Sequence, residues 1–436
     1  MCGGYCGPGT GTAPTLPASP RSTAPSRTLE RVSVNSLQAN EPEGAGPTAP
    51  WLCAGFLLAG MGTVLLGPIL PALSQLWHLP DYQAGLLLFA KFIGAFVGGS
   101  TVPNRLRNGI FFGLFATCAG LTGFAYATGL YTASIALFCV GVGLGQIIAS
   151  TNILAGRRYS HQTGAALNAI NFFWSLGAVA VGVLIAAFLP NHTLRQFLLT
   201  FAAAFIVIAI GGRLNSADRS GIETVQEQIP PYALARKAAI GFGLMLFLYG
   251  GLETSLSQWL TTFSMRYADG RILGGQSAIV VLWSTLTAGR AITALLLRRI
   301  RETTVQRTGL VCAVILIPAL ARCTTAMSLS IVCILLGLSL SSIFPSTFAL
   351  LMRRHPHARE AGFILAVSGL GAAALTWLMG IISSQANSLR IAMVVPFLAA
   401  IGLLAVCLWM PSPDPVPSLL PNLHPPDLPT TSTASH

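Results

Sequence analysis

The sequence is poor in charge. Only 9% of its 436 residues are Asp, Glu, Lys or Arg, whereas 53% are hydrophobic, and the mean hydropathy is +0.68. Soluble globular domains carry about 25% charged residues, so this composition excludes that class. The hydrophobic runs are long enough for membrane helices of about 20 residues and too long for β-barrel strands of about ten alternating residues. The sequence therefore predicts an all-α membrane protein.

Several motifs of metal, haem and nucleotide chemistry are missing as well. The nine cysteines form no CxxC pair, and the seven histidines all lie in predicted loops or tails, so no zinc site, disulfide framework or histidine proton relay is indicated. The chain has no GxxxxGK[ST] loop, which argues against an ATP-driven pump. A membrane-embedded acyltransferase would need a histidine or another nucleophile at membrane depth, and none is visible. We therefore expect no cofactor, no bound metal and no enzymatic activity.

Hydrophobic runs divide the chain into twelve predicted spans between two polar tails. Residues 1–50 are rich in Pro, Ser, Thr and Gly and lack the apolar core of a signal peptide, and residues 411–436 are rich in Pro, so we predict that both tails are disordered. The predicted spans are 51–73, 82–102, 108–127, 130–154, 163–189, 194–212, 237–264, 274–297, 307–325, 327–351, 361–384 and 389–410.

The basic residues indicate how the spans are oriented. An even number of spans places both termini on one side of the membrane. With that side cytoplasmic, the inner loops and the N-terminal tail hold 18 of the 25 Lys and Arg residues, whereas the outer loops hold five. Because basic residues accumulate in cytoplasmic loops, we predict a multi-pass protein of the cell membrane with both termini in the cytoplasm. The net charge of +12 then reflects topology, and no nucleic-acid partner is expected.

An internal repeat divides the spans into two sets of six. The longest predicted connection, a cytoplasmic linker at 213–236, separates a bundle over 51–212 from a second bundle over 237–410. Residues 141–158 align with 337–354 with eight of eighteen positions identical. Any two apolar helices that end in an arginine pair look alike, but the matching order of the spans favours duplication. Two like bundles with a site at their junction form the architecture of alternating-access transporters.

The sequence resembles the major facilitator superfamily of secondary transporters over nearly all of residues 51–410. The segments that carry the resemblance are GMGTVLLGPILPAL and WHLPDYQAGLLL in the first two spans, LNAINFFWSLGA in the fifth, YGGLETSLSQWL in the seventh, LTAGR in the eighth, GLSLSSIFPSTFALL in the tenth and GFILAVSGLGAAALTWLMG in the eleventh. The Gly-x-Glu…Trp pattern of the seventh span is most similar to the branch of fucose–proton symporters and related sugar carriers. The resemblance implies two six-helix bundles, acting as a monomer in the bilayer, that carry a small solute.

The sequence departs from that family in two places. In the loop STVPNRLRNG, Asn104 stands where the family usually has an acid, while Arg105 is retained; by resemblance both belong to the gate. The first span also has no acid, although proton-coupled sugar carriers of this branch often have one there. Coupling to protons and transport down the solute's own gradient therefore both stay open.

Three charged residues, Lys91, Glu253 and Arg290, lie well inside predicted spans. A charged side chain there costs about 2.5–3.5 kcal/mol on insertion scales, so it usually faces the protein interior and marks a pathway or a partner. Glu253 is near mid-membrane and shares a helix face with Tyr249. We predict that both bind substrate and that Glu253 carries the coupling proton; the alternative for Glu253 is a structural acid tied to a neighbouring helix.

The two basic residues of this set have several possible roles. Lys91 lies at a depth similar to that of Glu253, so it could form an ion pair with that acid, bind an anionic substrate, or extend its ammonium group outward to water. We include it among the substrate-binding residues. By resemblance, Arg290 belongs to the conformational machinery of the cytoplasmic side, and we assign it to gating.

Neutral polar and aromatic side chains complete the predicted site. An amide both donates and accepts hydrogen bonds, as sugar hydroxyls require, and an indole ring can stack on the apolar face of a sugar or serve as a core aromatic. The substrate-binding candidates of this kind are Gln146, Asn168, Asn171, Trp174 and Trp259.

Together these features predict a secondary transporter of a small polar, sugar-like solute that works by alternating access. An exporter of drugs or metabolites with the same fold is the main alternative. A carrier-shaped membrane sensor that no longer transports is a second alternative, indicated only by the altered STVPNRLRNG loop.

Overall fold

The computed structural model describes residues 50–158, 163–214, 234–269, 275–296, 300, 302–352, 354 and 356–409. The two predicted tails and most of the predicted linker lie outside these residues. The helices are α1 Pro50–Val64, α2 Leu66–Leu76, α3 Asp81–Ser100, α4 Leu106–Ala125, α5 Leu130–Arg158, α6 Thr163–Phe188, α7 Leu194–Leu214, α8 Arg236–Tyr267, α9 Ser277–Leu296, α10 Glu302–Ala321, α11 Ala326–Leu340, α12 Ile343–Met352, α13 Ala358–Ala386, α14 Leu389–Ala392 and α15 Val394–Trp409.

These helices confirm the predicted all-α membrane architecture. Within the described part, 11 helical segments are long and apolar enough to cross a membrane, and α9 adds a shorter apolar helix over Ser277–Thr293. The first span consists of α1 and α2, the tenth of α11 and α12, and the twelfth of α14 and α15. We call the side of the bundle that holds Pro50 and Trp409 the terminal side, and the opposite side the far side.

Proline explains why two of the spans are divided. A proline has no backbone N–H and its ring collides with the carbonyl group four residues earlier. Pro68 follows the turn at Leu65 that separates α1 from α2, and Pro345 follows Ser341 and Ser342, which separate α11 from α12. The two interruptions therefore have an identifiable cause in the sequence.

The contacts between spans repeat in the two halves of the chain. In the first half, the first span packs on the fifth, the second span packs on the fourth, and the third span packs on the fourth and the sixth. In the second half, the seventh span packs on the eleventh, the eighth span packs on the tenth, and the ninth span packs on the tenth and the twelfth. Across the halves, the second packs on the eleventh, the fifth on the eighth, and the first on the seventh. If the first span is exchanged with the seventh, the second with the eighth, and so on to the sixth with the twelfth, the same list of packed pairs results. This is expected for two repeats that are related by a pseudo-twofold axis.

Glycine allows the closest of these approaches. A Cβ atom on Gly177 of the fifth span would collide with the carbonyl oxygen of Leu57 in the first span, and one on Gly371 of the eleventh span would collide with that of Phe247 in the seventh. Small residues let membrane helices approach closely and gain van der Waals contact. Each half therefore uses a glycine at the same kind of helix pair.

We predict that Gly177→Val and Gly371→Val each destabilise the protein by about 1–3 kcal/mol or more, because the added side chain must push two helices apart. Thermal unfolding of the purified protein in detergent measures this change. The control is Gly243→Val, since a Cβ at position 243 meets no heavy atom within 4 Å. Equal unfolding temperatures for all three variants would contradict the helix packing described above.

Candidate functional site

A cavity lies between the two halves of the bundle. It encloses about 1000 Å³ of space free of protein atoms, including its opening. The first, second, fourth and fifth spans line it from one half, and the seventh, eighth, tenth and eleventh line it from the other. These two sets of four exchange under the same six-place shift that relates the helix contacts. The junction of the repeats therefore encloses a central cavity.

Three contacts across the halves close the far side. Arg266 donates from Nη1 and Nη2 to Oδ2 and Oδ1 of Asp81 at 2.7 and 2.6 Å, and the Ser383 hydroxyl donates to the same Oδ2 at 2.6 Å. The backbone N–H of Tyr82 donates to Oγ of Ser384 at 2.9 Å. The second span is thereby tied to the seventh and eleventh. The cavity extends from this closed end towards the terminal side as far as Gly99, near the end of the second span.

Glu253 faces the cavity and is held by two neighbours. The Tyr249 hydroxyl donates to its Oε1 at 2.7 Å, and Nη2 of Arg290 lies 4.0 Å from the same oxygen. The Tyr249 bond joins successive turns of the seventh span, as the shared helix face predicts. Both partners stabilise the charged carboxylate.

Arg290 connects the halves at the depth of Glu253. Its Nη1 donates to the backbone oxygen of Asn171 at 2.9 Å and to the hydroxyl of Ser175, both in the fifth span. Only 3% of the Arg290 side chain is exposed. Arg290 therefore does not extend to water at the terminal side. It contacts the acid of its own half and the backbone of the other half at once.

Lys91 lies inside the cavity wall, with 1% of its surface exposed. Its Nζ donates to the backbone oxygen of Thr63 at 2.6 Å and lies 4.5 Å from the centre of the Phe92 ring. The side chain therefore does not extend outward to water. The possible ion pair with Glu253 is also not formed: Arg290 is the cation beside Glu253, while the Lys91 ammonium turns to the first span.

The neutral groups of the cavity include several polar atoms without a described hydrogen-bond partner. They are Nε1 of Trp174, Nε1 of Trp283 and Oε1 of Gln258, all buried. The two indole rings meet edge to face with their centres 5.1 Å apart. Gln258 donates from Nε2 to the backbone oxygen of Thr63 at 3.0 Å, across the two halves. Three residues of the cavity lining thus carry a buried polar atom that has no hydrogen-bond partner among the described residues.

Asn171 is the predicted amide that the structure places at the cavity. Its Nδ2 donates to Oδ1 of Asn152 at 3.2 Å and to the backbone oxygen of Leu167 at 2.7 Å. The two amides thus link the fourth and fifth spans. The side chain of Asn168, which we predicted on the same helix face, lies outside the described residues.

Two predicted substrate-binding residues, Gln146 and Trp259, lie outside the cavity lining. Gln146 donates to the backbone oxygen and the hydroxyl of Thr101, both at 2.9 Å, because its helix turns Gly145 and Ile148 to the cavity. Trp259 is fully buried and donates from Nε1 to the backbone oxygen of Thr376 at 3.1 Å. Both side chains join neighbouring helices instead.

The predicted gate residues of the loop after the second span lie on the terminal side. Asn104 and Arg105 are exposed, and neither has a side-chain hydrogen bond to the rest of the described chain. The buried cation of this loop region is Arg107, which donates from Nη2 to the backbone oxygen of Gly212 at 2.9 Å and lies near the Trp51 ring. It links the third span to the sixth within one half.

The sequence prediction missed the ion pair at the closed end of the cavity and one aromatic residue of the cavity lining. Asp81 and Arg266 lie at the ends of the second and seventh spans, and only knowledge that these spans meet across the halves would have paired them. Trp283 of the eighth span was also missed, because one tryptophan in an apolar run gives no sign of the direction in which it faces.

Similar sequences and structures show where this architecture occurs. A sequence model of the Major Facilitator Superfamily matches residues 52–366. The chain is 24% identical over 149 residues to a protein named Sodium-dependent glucose transporter 1 from Danio rerio; the match covers 32% of this chain and 25% of that protein, so it spans a quarter of the relative's length.

Three solved structures share the fold. The transporter FucP in the outward conformation is 19% identical, with 83% of this chain and 98% of that chain covered and a TM-score of 0.58. The xylose transporter XylE from E. coli is 12% identical, with 80% of this chain and 95% of that chain covered and a TM-score of 0.64. The human organic anion transporter MFSD10 is 14% identical, with 82% of this chain and 98% of that chain covered and a TM-score of 0.62. Since the family model covers most of the chain, the chain belongs to the Major Facilitator Superfamily, a family of integral multi-pass membrane transporters rather than enzymes.

Proposed function

We propose that the protein is a secondary transporter that moves a small hydroxylated, sugar-like solute across the cell membrane by alternating access, with both termini in the cytoplasm. The observation that carries this proposal is the cavity between the halves, which four spans of each half line and which contacts across the halves close at the far side. A solute held there contacts both halves. Movement of one half against the other would then expose it to either side in turn.

The polar atoms of the cavity fit a solute with several hydroxyl groups. A hydroxyl both donates and accepts hydrogen bonds, and three residues of the cavity lining carry unpartnered polar atoms: the indole N–H groups of Trp174 and Trp283 and the amide oxygen of Gln258. A buried polar group without a partner costs about 1–3 kcal/mol. A bound sugar-like solute would satisfy these groups and lay its apolar ring face against an indole.

The names of similar transporters agree with this substrate class but do not establish it. Fucose and xylose are named for two of the structural neighbours, and glucose for the partial relative. At identities below 25% such likeness concerns the fold. The substrate proposal therefore depends on the cavity of this chain.

Glu253 is the residue that we propose for coupling to protons. When Glu253 is charged, it balances Arg290. Protonation removes that balance, and Arg290 would then interact more strongly with its acceptors in the other half, Asn171 and Ser175. A change of protonation at one carboxylate could thus alter the contact between the halves. If Glu253 has no such role, the solute's own gradient would drive transport.

Export of a drug or other amphipathic metabolite is the second candidate function. The observation that favours it is the large apolar share of the cavity lining, which includes Phe56, Phe92 and Phe344. Ligand pockets are commonly lined by apolar and aromatic groups with a few polar ones. Competition by aromatic amphiphiles in the uptake assays below, with no competition by sugars, would favour this candidate over the first.

We predict that cross-linking Cys residues at Tyr82 and Ser384 stops transport, because it prevents the second and eleventh spans from separating at the far side. Uptake into proteoliposomes is measured in a variant without native cysteines, before and after treatment with a short thiol cross-linker that a reductant can cleave. The reductant should restore uptake.

The control for this experiment is a Cys pair at Tyr126 and Arg195. These residues also lie at the far side, where the Arg195 guanidinium is 4.6 Å from the Tyr126 ring, but both belong to the first half. Cross-linking within one half should leave transport intact. Undiminished transport after the Tyr82 and Ser384 pair is linked would exclude opening at the far side as a step of transport.

We predict that Glu253→Gln abolishes the stimulation of uptake by a pH gradient, acidic on the side of entry, but leaves solute exchange at equal pH intact. The amide keeps the size of the side chain and cannot carry the proton. Counterflow and pH-driven uptake of the same labelled solute measure the two activities. Glu360→Gln is the control, because Glu360 accepts a bond from Leu234 near the terminal side, away from the cavity. Unchanged pH-driven uptake in Glu253→Gln would remove Glu253 from coupling.

A further inference from the structure

Lys91 is the charged group of the cavity that the proposed transport mechanism does not use. The described side chains that line the cavity include two cations, Lys91 and Arg290, and one acid, Glu253. Because Glu253 pairs with Arg290, Lys91 is the basic residue of the described lining that has no acid beside it.

The surroundings of Lys91 give it no counter-ion. Its contacts are the neutral backbone oxygen of Thr63 at 2.6 Å and the face of the Phe92 ring at 4.5 Å; no carboxylate of the described chain forms a salt bridge with it. An ammonium group has three N–H donors, so at least one more donor is available beyond these contacts. A buried cation without a partner is unfavourable.

The other unpartnered groups also have an excess of donors. Trp174 and Trp283 each contribute an indole N–H, whereas Gln258 contributes one carbonyl oxygen. Together with the ammonium group of Lys91, these buried groups include more donors than acceptors. A ligand that is rich in acceptor oxygens and carries negative charge complements this set better than a neutral ligand does.

The position of Lys91 sets the orientation of such a ligand. Lys91 and Gln258 donate to the same oxygen, that of Thr63, so they lie together at the far end of the cavity. Glu253 precedes Gln258 by five residues, or about 7.5 Å along the helix axis. An anionic group at Lys91 would therefore lie towards the far side, while the rest of the ligand extends towards the Glu253 and Arg290 pair.

We propose that the transported solute is a sugar acid: a hydroxylated ring or chain with one carboxylate, which Lys91 binds through its ammonium group. This inference rests on the proposed transport function and specifies its substrate class. One ammonium group without an acid beside it matches one negative charge, so a monocarboxylate fits the cavity better than a phosphate ester, which carries more charge.

The test compares sugars that differ only in the acidic group. D-glucuronate and D-galacturonate are each paired with the neutral hexose of the same configuration, and D-glucose 6-phosphate is added as a doubly charged ligand. In proteoliposomes, the labelled sugar of each pair that is taken up faster serves as the tracer. The concentration at which each unlabelled sugar inhibits uptake of this tracer is then measured. For the wild type we expect a uronate to compete at a concentration at least about tenfold lower than its hexose, since removing one partner of a buried charge pair commonly costs that much or more.

Variants at position 91 separate charge recognition from a structural role. Lys91→Gln keeps a hydrogen-bond donor and most of the length, and it should remove the preference for the uronate. Lys91→Arg keeps the charge and should retain it. Arg195→Gln is the control for loss of a cation outside the cavity and should have the wild-type preference.

Three results would overturn the inference. If the wild type carries a hexose and prefers it to the uronate, or prefers the phosphate ester, the sugar-acid assignment is wrong while the transport proposal stands. If Lys91→Gln weakens uronate and hexose equally, the lysine has a structural role only. If the wild type carries neither uronates nor hexoses, both this inference and the proposed sugar-like substrate fail.

Discussion

The high cost of exposing charge to hydrocarbon is the constraint on which this structure depends. Lys91, Glu253 and Arg290 lie at membrane depth, where a charged side chain is tolerated chiefly when it faces protein or water. All three line the same cavity between the two halves. Around these residues the helices do not pack into one solid bundle. They leave a central space, and the polar groups that line this space are what a solute can bind.

Arg290 joins the two halves inside this cavity. It pairs with Glu253 in its own half and donates to Asn171 and Ser175 in the other half. In the proposed coupling, a change in the charge of Glu253 would alter a contact across the junction. At the far side, the bond from Arg266 to Asp81 also crosses the junction. The fold therefore places bonds between the halves at two levels, one inside the cavity and one at its closed end.

The sequence predicted the spans and the charged residues of the site because both are local or compositional properties. A run of about 20 apolar residues identifies a span by itself, and an acid such as Glu253 within that run is conspicuous. Facing direction and partner choice are not local. Gln146 and Trp259 turned towards neighbouring helices, and Lys91 bonded to the backbone of the first span, because the helix packing set their environment. The residues of the closed end, Asp81 and Arg266, lie 185 positions apart and meet only in the folded protein.

The most direct test of this account is the accessibility of the seventh span to water. In a variant without native cysteines, Thr254→Cys and Leu244→Cys are treated with a membrane-impermeant maleimide that has access to both sides of the membrane. Thr254 lines the cavity, whereas Leu244 is an exposed apolar residue nearer the terminal side. The account predicts that the deeper position, 254, reacts several times faster than 244. Equal, slow labelling of the two positions would contradict a hydrated cavity between the halves.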